Sequence, residues 1–183
     1  MLVGDKVKLR PVEETDLSLL VEWRNRVDIW GCFFNKFPLS LSGQLNWYRS
    51  LLEDQQRLLL MIEDINSSQP VGTIGFDRID HVNQLAEYGN LLIGDKGSRR
   101  LGFAGEATSL LVSYGFNRLN LNRIFLHVLA DNDRALKFYR RYGFSEEGRL
   151  HEAFFDQGAF RDVLVLAMLR VDFQSRFAEL TVP

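Results

Sequence analysis

Cysteine is almost absent from this chain of 183 residues, and Cys32 is the only one. A lone thiol closes no intramolecular disulfide. Without C-x-x-C pairs or a Cys/His cluster at ligand spacing, no structural metal site is expected either, and a reducing, cytoplasmic setting follows. Long apolar runs are also missing. The longest, residues 58–62 and 163–169, fall far short of the roughly 20 residues that span a bilayer, so no membrane span is expected. The start, Met1-Leu2-Val3-Gly4-Asp5-Lys6, lacks the charged and then apolar layout of a secretory signal. Nor is there a surplus of charge: 22 basic against 24 acidic residues leave a net −2, which argues against nucleic-acid binding by bulk electrostatics. A local basic patch for a small anion remains compatible with that balance.

What is present is ordinary for a soluble globular protein: 46% hydrophobic, 25% charged and 12% aromatic residues. The length supports a substantial core without covalent staples. No repeat, low-complexity tract or linker divides residues 1–183, so a single domain is expected.

Hydrophobic periodicity sketches the elements. Val7-Lys8-Leu9-Arg10 alternates and meets Pro11, as an edge strand does. Leu17, Leu20, Val21 and Arg24 fall at helical spacing behind Thr15 and Asp16. A second helix starts at Ser40 or Ser42 and runs to Leu52 on a stripe of Leu41, Leu45, Tyr48 and Leu52. Residues 58–63 and 71–79 form a hairpin, followed by a strand over 87–93. A helix over 104–119, a strand over 123–130, a helix capped by Asn132-Asp133 and stopped by Gly143, and strands over 145–153 and 161–169 complete the chain. Strands alternating with helices in the middle and pairing at the ends predict a mixed α/β sheet of about six to seven strands with about four helices.

The strongest local signal is Gly94-Asp95-Lys96-Gly97-Ser98-Arg99-Arg100-Leu101-Gly102, a Gly-rich basic loop opening into a helix. Helix N-termini expose unpaired amides at the positive end of the dipole, which suits a phosphate. Gly97 and Gly102 match the glycines of a Walker A loop, but Phe103-Ala104 stands where Lys and Ser/Thr belong. The dinucleotide pattern also fails, because Gly102-x-x-Gly105 is preceded by Arg100. The same glycines also read as an ordinary surface turn.

Arg99-Arg100-Leu101-Gly102-Phe103-Ala104 resembles Q/R-x-x-G-x-G/A, the coenzyme A pyrophosphate loop of GNAT N-acetyltransferases. About 30 residues on, the stretch from Asn132 to Phe144 resembles the family's N-x-x-A-x-x-x-Y-x-x-x-G-F segment. Glu147-Gly148-Arg149, the turn Asp156-Gln157-Gly158 and Arg161-Asp162 resemble the ending of the branch holding the ribosomal-protein N-terminal and spermidine acetyltransferases. The resemblance implies an enzyme using acetyl coenzyme A as cosubstrate and a sheet splayed at the coenzyme. It implies cofactor contacts at Leu92, Ile93, Arg99, Arg100, Leu101, Gly102, Phe103, Ala104, Gly105, Asn132 and Tyr139.

Direct transfer of acetyl from a thioester to an amine needs a base for the amine, stabilisation of an oxyanion and a proton for the thiolate. The resemblance makes Tyr139 the general acid; its place on an apolar stripe with Ala135, Phe138 and Tyr142 also reads as core. His127 stands at a strand position where relatives often carry a glutamate base, and imidazole accepts a proton near neutral pH. Glu87 is the competing base. The resemblance places the acceptor against Trp23-Arg24-Asn25, residues 30–34, Trp47-Tyr48 and residues 151–155. Their aromatic content points to an amino sugar or a peptide N-terminus. A polyamine is the alternative, for which Glu13, Glu14, Asp16 and Glu22 supply carboxylates, and a non-catalytic acyl-coenzyme A binding module is the second alternative. A homodimer is left open.

Overall fold

The computed structural model describes residues 1–30, 33–34 and 36–177; Cys32, with Gly31, Asn35 and residues 178–183, lies outside the described residues. In chain order the elements are β1 (Leu2–Val3), β2 (Val7–Pro11), a 3-10 turn (Glu14–Asp16), α1 (Leu17–Asn25), α2 (Val27–Trp30), α3 (Leu41–Glu53), β3 (Leu58–Asp64) and β4 (Pro70–Asp80). β5 (Leu85–Ile93), α4 (Phe103–Asn117), β6 (Arg123–Leu129), α5 (Asp133–Arg141), β7 (Ser145–Asp156), β8 (Ala159–Leu169) and α6 (Arg170–Phe177) follow. The strand order is β1-β2-β3-β4-β5-β6-β8-β7. β5 and β6 pair in parallel, and β6–β8 and β7–β8 are antiparallel, so the sheet is mixed as expected. The described residues hold eight strands and six helices. The additions, β1, α2 and α6, are too short for periodicity to register. No described helix is long and apolar enough to cross a membrane.

The chain forms two compact units, one of Met1–Asp77 with Gly89–Leu111 and the other of Arg78–Tyr88 with Val112–Pro183. In the first, Val7 and Leu9 of β2 are buried while Lys8 and Arg10 point away, as the alternation requires. β2–β3 and β3–β4 are antiparallel, with Leu58 opposite Phe76 in the expected hairpin. Leu17, Leu20 and Trp23 of α1 pack with Ile29, Tyr48, Met61 and Leu92. Ser40 caps α3 by accepting the Gly43 amide at 3.0 Å. The expected α3 stripe is only partly right. Gln44 and Tyr48 are buried, whereas Leu41 and Leu52 are exposed, because the core lies beneath the middle of the helix and not its ends.

A charged network ties β2 to β3 and the 3-10 turn. Arg10 grips Asp16 with two bonds of 2.7 and 2.9 Å and Glu63 with a third of 2.8 Å, and Lys8 reaches Glu63 at 2.6 Å. Burial pushes the Asp16 carboxyl up, but the bonds from Arg10 and the Glu13 amide outweigh it and hold it below its ordinary value. Glu63 is lowered in the same way, by Lys8 and Arg10 against burial.

In the second unit, Ile124, Leu126 and Val128 of β6 face a core with Ala86, Tyr88, Leu136 and Phe144, and Arg123, Phe125 and His127 alternate on the other face. Gly143, at φ +96°, ends α5 in the left-handed conformation open to glycine. Gln157 and Gly158, both at positive φ, close the β7–β8 hairpin between Asp156 and Ala159.

Replacing Arg10 by Met leaves two largely buried carboxylates with fewer partners, and the expected loss is about 3 kcal/mol at neutral pH. Both carboxyls titrate below their unfolded values, so the network's contribution is full above roughly pH 5 and is lost as pH falls through the lower folded values. Urea denaturation of wild type and Arg10→Met at pH 7 and pH 3 checks this: the gap narrows at the lower pH.

Candidate active site

In the first unit, β5 ends at Ile93 and the chain turns at Gly94. A Cβ there would overlap the Trp23 ring, so glycine is what lets α1 close on the loop. The amides of Gly94 and Asp95 both donate to the Val71 carbonyl, at 2.9 and 3.1 Å, and Arg26 donates to the Gly94 carbonyl at 2.7 Å. Asp95 accepts the Ser98 amide at 2.7 Å and curls the loop. Arg100 and Gly102 then take positive φ, +71° and +90°. The Gly102 carbonyl accepts the Gly105 and Glu106 amides and so begins α4.

The amides of Arg100, Leu101, Gly102, Phe103 and Ala104 have no acceptor among the described residues. Five successive donors at the positive end of a helix form a cradle for an anion such as pyrophosphate. The Glu106 carboxylate holds this start in place by accepting the Asp5 and Lys6 amides. The basic cluster, however, is smaller than its composition implies. Arg99 is bound to Asp28 at 2.7 Å, and hydrogen bonds from Arg26 and then Arg99 hold that carboxyl well below the usual range. Lys96 and Arg100 remain exposed beside the cradle.

Upstream in β5, Asn90 sits at φ +56°. Its carbonyl accepts the Thr73 hydroxyl at 2.8 Å and its side-chain amide donates to Asp77 at 2.8 Å. This left-handed residue is a local irregularity inside the continuous β5, just before Leu92 and Ile93. Periodicity missed it, although a Gly89-Asn90 pair inside a strand is the signal for such an irregularity.

In the second unit, Glu87 is opposite Phe125 in the parallel register, and His127 lies two residues further on the same face of β6. His127 Nδ1 and Glu87 Oε1 are 2.6 Å apart. The two residues expected as rival bases are therefore one hydrogen-bonded pair. A proton placed on Nδ1 for the carboxylate leaves the Nε2 lone pair as acceptor. Arg78 reaches the other Glu87 oxygen at 3.3 Å, and the Phe125 ring meets the imidazole edge-on at 5.8 Å.

Tyr139 projects from α5 and packs edge-on against Tyr88 at 5.8 Å, with Phe138 and Phe144 around it. Tyr88 points to the face of β5 opposite its neighbour Glu87, so Tyr139 and the Glu87–His127 pair lie on opposite faces of that strand. Part of the tyrosine is exposed, yet burial pushes its hydroxyl up to about 12, so the proton is retained at neutral pH. No hydrogen bond to that hydroxyl is made among the described residues. Asn132 caps α5, its oxygen accepting the Ala135 amide at 3.1 Å, which leaves its NH2 group for a ligand.

The residues expected around the acceptor divide. Trp23 and Tyr48 are core, and Trp47 packs against that core. Asn25 pins the chain at Leu39 through two bonds of 2.7 and 2.8 Å. Asp16 is committed to Arg10, which removes it from any polyamine-binding set. On the terminal hairpin, His151 and Arg149 converge on Asp162, and Phe155 packs on Phe160 at 5.1 Å with both rings exposed.

Residues 6–145 match the family model for the acetyltransferase (GNAT) domain. The chain is 29% identical over 164 residues to spermidine N(1)-acetyltransferase of Escherichia coli (strain K12), spanning 90% of this chain and 86% of that protein. A crystal structure of spermidine N-acetyltransferase from Vibrio cholerae in complex with CoA and spermine superposes with a TM-score of 0.86 at 27% identity, over 93% of this chain and 99% of that one. A dodecameric structure of the Vibrio cholerae enzyme in an intermediate state gives 0.81 at 27% identity, over 94% and 99%. With the family model matching most of its length, the chain belongs to the GNAT acetyltransferases.

Proposed function

We propose that this chain, acting as one N-acetyltransferase domain, transfers acetyl from acetyl coenzyme A to a primary amine of a small molecule by direct attack. The observation that carries the reading is the run of five unpaired amides from Arg100 to Ala104 at the start of α4. Those amides, with Lys96 and Arg100, take the pyrophosphate; the family resemblance adds the Asn132 side-chain amide and the backbone of Leu92 and Ile93 as coenzyme contacts. The thioester supplies the electrophilic carbonyl carbon. The amine nitrogen bonds to that carbon, its proton passes to His127 Nε2, and the C–S bond breaks as Tyr139 donates its hydroxyl proton to the sulfur. Glu87 orients the imidazole and stabilises the imidazolium.

Polyamine is the acceptor class that the spermidine acetyltransferase relatives support, ahead of the expected peptide N-terminus or amino sugar. A second reading, an amine that carries an anionic group as a phosphorylated amino sugar does, is favoured by the surroundings of Arg24. The Vibrio cholerae dodecamer supports an assembly larger than a dimer.

Thiol release from acetyl coenzyme A across a panel of amines tests the activity. Coenzyme binding by calorimetry without turnover of any amine would point to a non-catalytic acyl-coenzyme A module. Gly102→Glu places bulk and negative charge at the cradle and is expected to abolish coenzyme binding in the same calorimetric titration.

Tyr139→Phe is expected to lower kcat about 100-fold with little change in coenzyme affinity. With the hydroxyl near 12, Tyr139 adds no alkaline decline to the wild-type pH–rate profile below about pH 11. A decline nearer neutrality that disappears in Tyr139→Phe would contradict its role. For Glu87 and His127 a double-mutant cycle decides. If they act as a pair, Glu87→Gln with His127→Ala loses no more kcat than the worse single variant, whereas independent roles multiply.

A further inference from the structure

Within the first unit, five half-buried cations are matched to carboxylates. Lys8 and Arg10 pair with Glu63, Arg26 and Arg99 with Asp28, and Arg57 with Asp54. Arg24 breaks this pattern. Its guanidinium carbon lies 3.8 Å over the centre of the Phe33 ring, and the side chain makes no hydrogen bond or ion pair among the described residues. Asp28, one helical turn on, is held by Arg26 and Arg99 instead. A guanidinium withdrawn from water without an anion is costly, and its burial pushes the Arg24 pKa down, the mark of a charge lacking compensation.

Placement and shape indicate what the missing partner is. Arg24 belongs to the last turn of α1, the turn fastened to the loop by Trp23 packing on Gly94 and by Arg26 donating to the Gly94 carbonyl. With its carbon 3.8 Å over Phe33 and no N–H hydrogen bond made among the described residues, the guanidinium offers a planar fork that matches the paired oxygens of a phosphate or carboxylate. Two nearby carboxylates that would welcome a polycation, Asp16 and Asp28, are already taken by basic side chains.

The geometry points to Arg24 as the residue that recognises an anionic group, phosphate or carboxylate, carried by the amine acceptor. This rests on the acetyl-transfer reading and narrows it: the acceptor is an anionic amine of the phosphorylated amino-sugar type, which a polycation bearing no anion does not imitate.

The test compares glucosamine 6-phosphate, glucosamine and spermidine as acceptors for wild type, Arg24→Gln and Arg24→Lys, with thermal denaturation confirming that each variant is folded. In wild type, kcat/KM favours the phosphorylated sugar over both others. Arg24→Gln lowers the ratio for phosphorylated over plain sugar about 10- to 100-fold, and Arg24→Lys restores part of it. An unchanged ratio in Arg24→Gln, or a wild-type preference for spermidine, overturns the assignment. So does a variant effect confined to the KM for acetyl coenzyme A, because the anion then belongs to the coenzyme. If no amine is turned over, the acetyl-transfer reading fails separately. Glucosamine 6-phosphate titrated into the coenzyme A complexes then decides: at least tenfold weaker binding to Arg24→Gln supports the anion site, and equal or absent binding rejects it.

Discussion

The parallel pairing of β5 with β6 is the constraint on which the rest of the site depends. Parallel neighbours cannot be joined by a tight turn, so the chain leaving β5 must make a crossover, and α4 is that crossover. A crossover helix begins near the carboxyl end of its strand, where open α/β sheets bind their ligands. The amide cradle from Arg100 to Ala104 is thus a product of topology, refined by positive φ at Arg100 and Gly102. The same register places Glu87 opposite Phe125 and brings His127, one pleat on, within hydrogen-bonding reach.

Charge is used locally in a way that net charge conceals. The loop looks strongly basic in composition, yet Asp28 neutralises Arg99 and Arg26 together. Arg99 thereby fastens α2 to the loop, and the unpaired amides from Arg100 to Ala104 remain as its open donors. Around Arg10 the logic is reversed. One guanidinium serves two carboxylates, Asp16 and Glu63, and makes of them a structural joint. Arg24 stands out against this economy because most charges around it are matched.

Much of the architecture was legible because strong periodicity and clear stop signals agreed. The β3–β4 hairpin, the alternation of β6, the Ser40 and Asn132 caps and the Gly143 stop all rest on local rules that neighbours did not override. β1, α2 and α6 were not legible, since two to eight residues carry too little pattern. The Asn90 irregularity was hidden for another reason. A single left-handed residue leaves the surrounding alternation almost intact, and its support comes from Thr73 and Asp77 on a neighbouring strand.

For the candidate site, sequence alone determined the residue types and their order: a Gly-rich loop before a helix, a strand histidine, a helix tyrosine behind an asparagine cap, and the family these imply. Those are properties of local spacing, readable without knowing what touches what. Tertiary structure decided which charges remain free. It joined Glu87 to His127, paired Arg99 with Asp28 and Asp16 with Arg10, set Tyr139 on the strand face opposite the Glu87–His127 pair, and left Arg24 without an anion. Those outcomes depend on partners 6 to 71 positions away in the chain, a range over which no local pattern carries information.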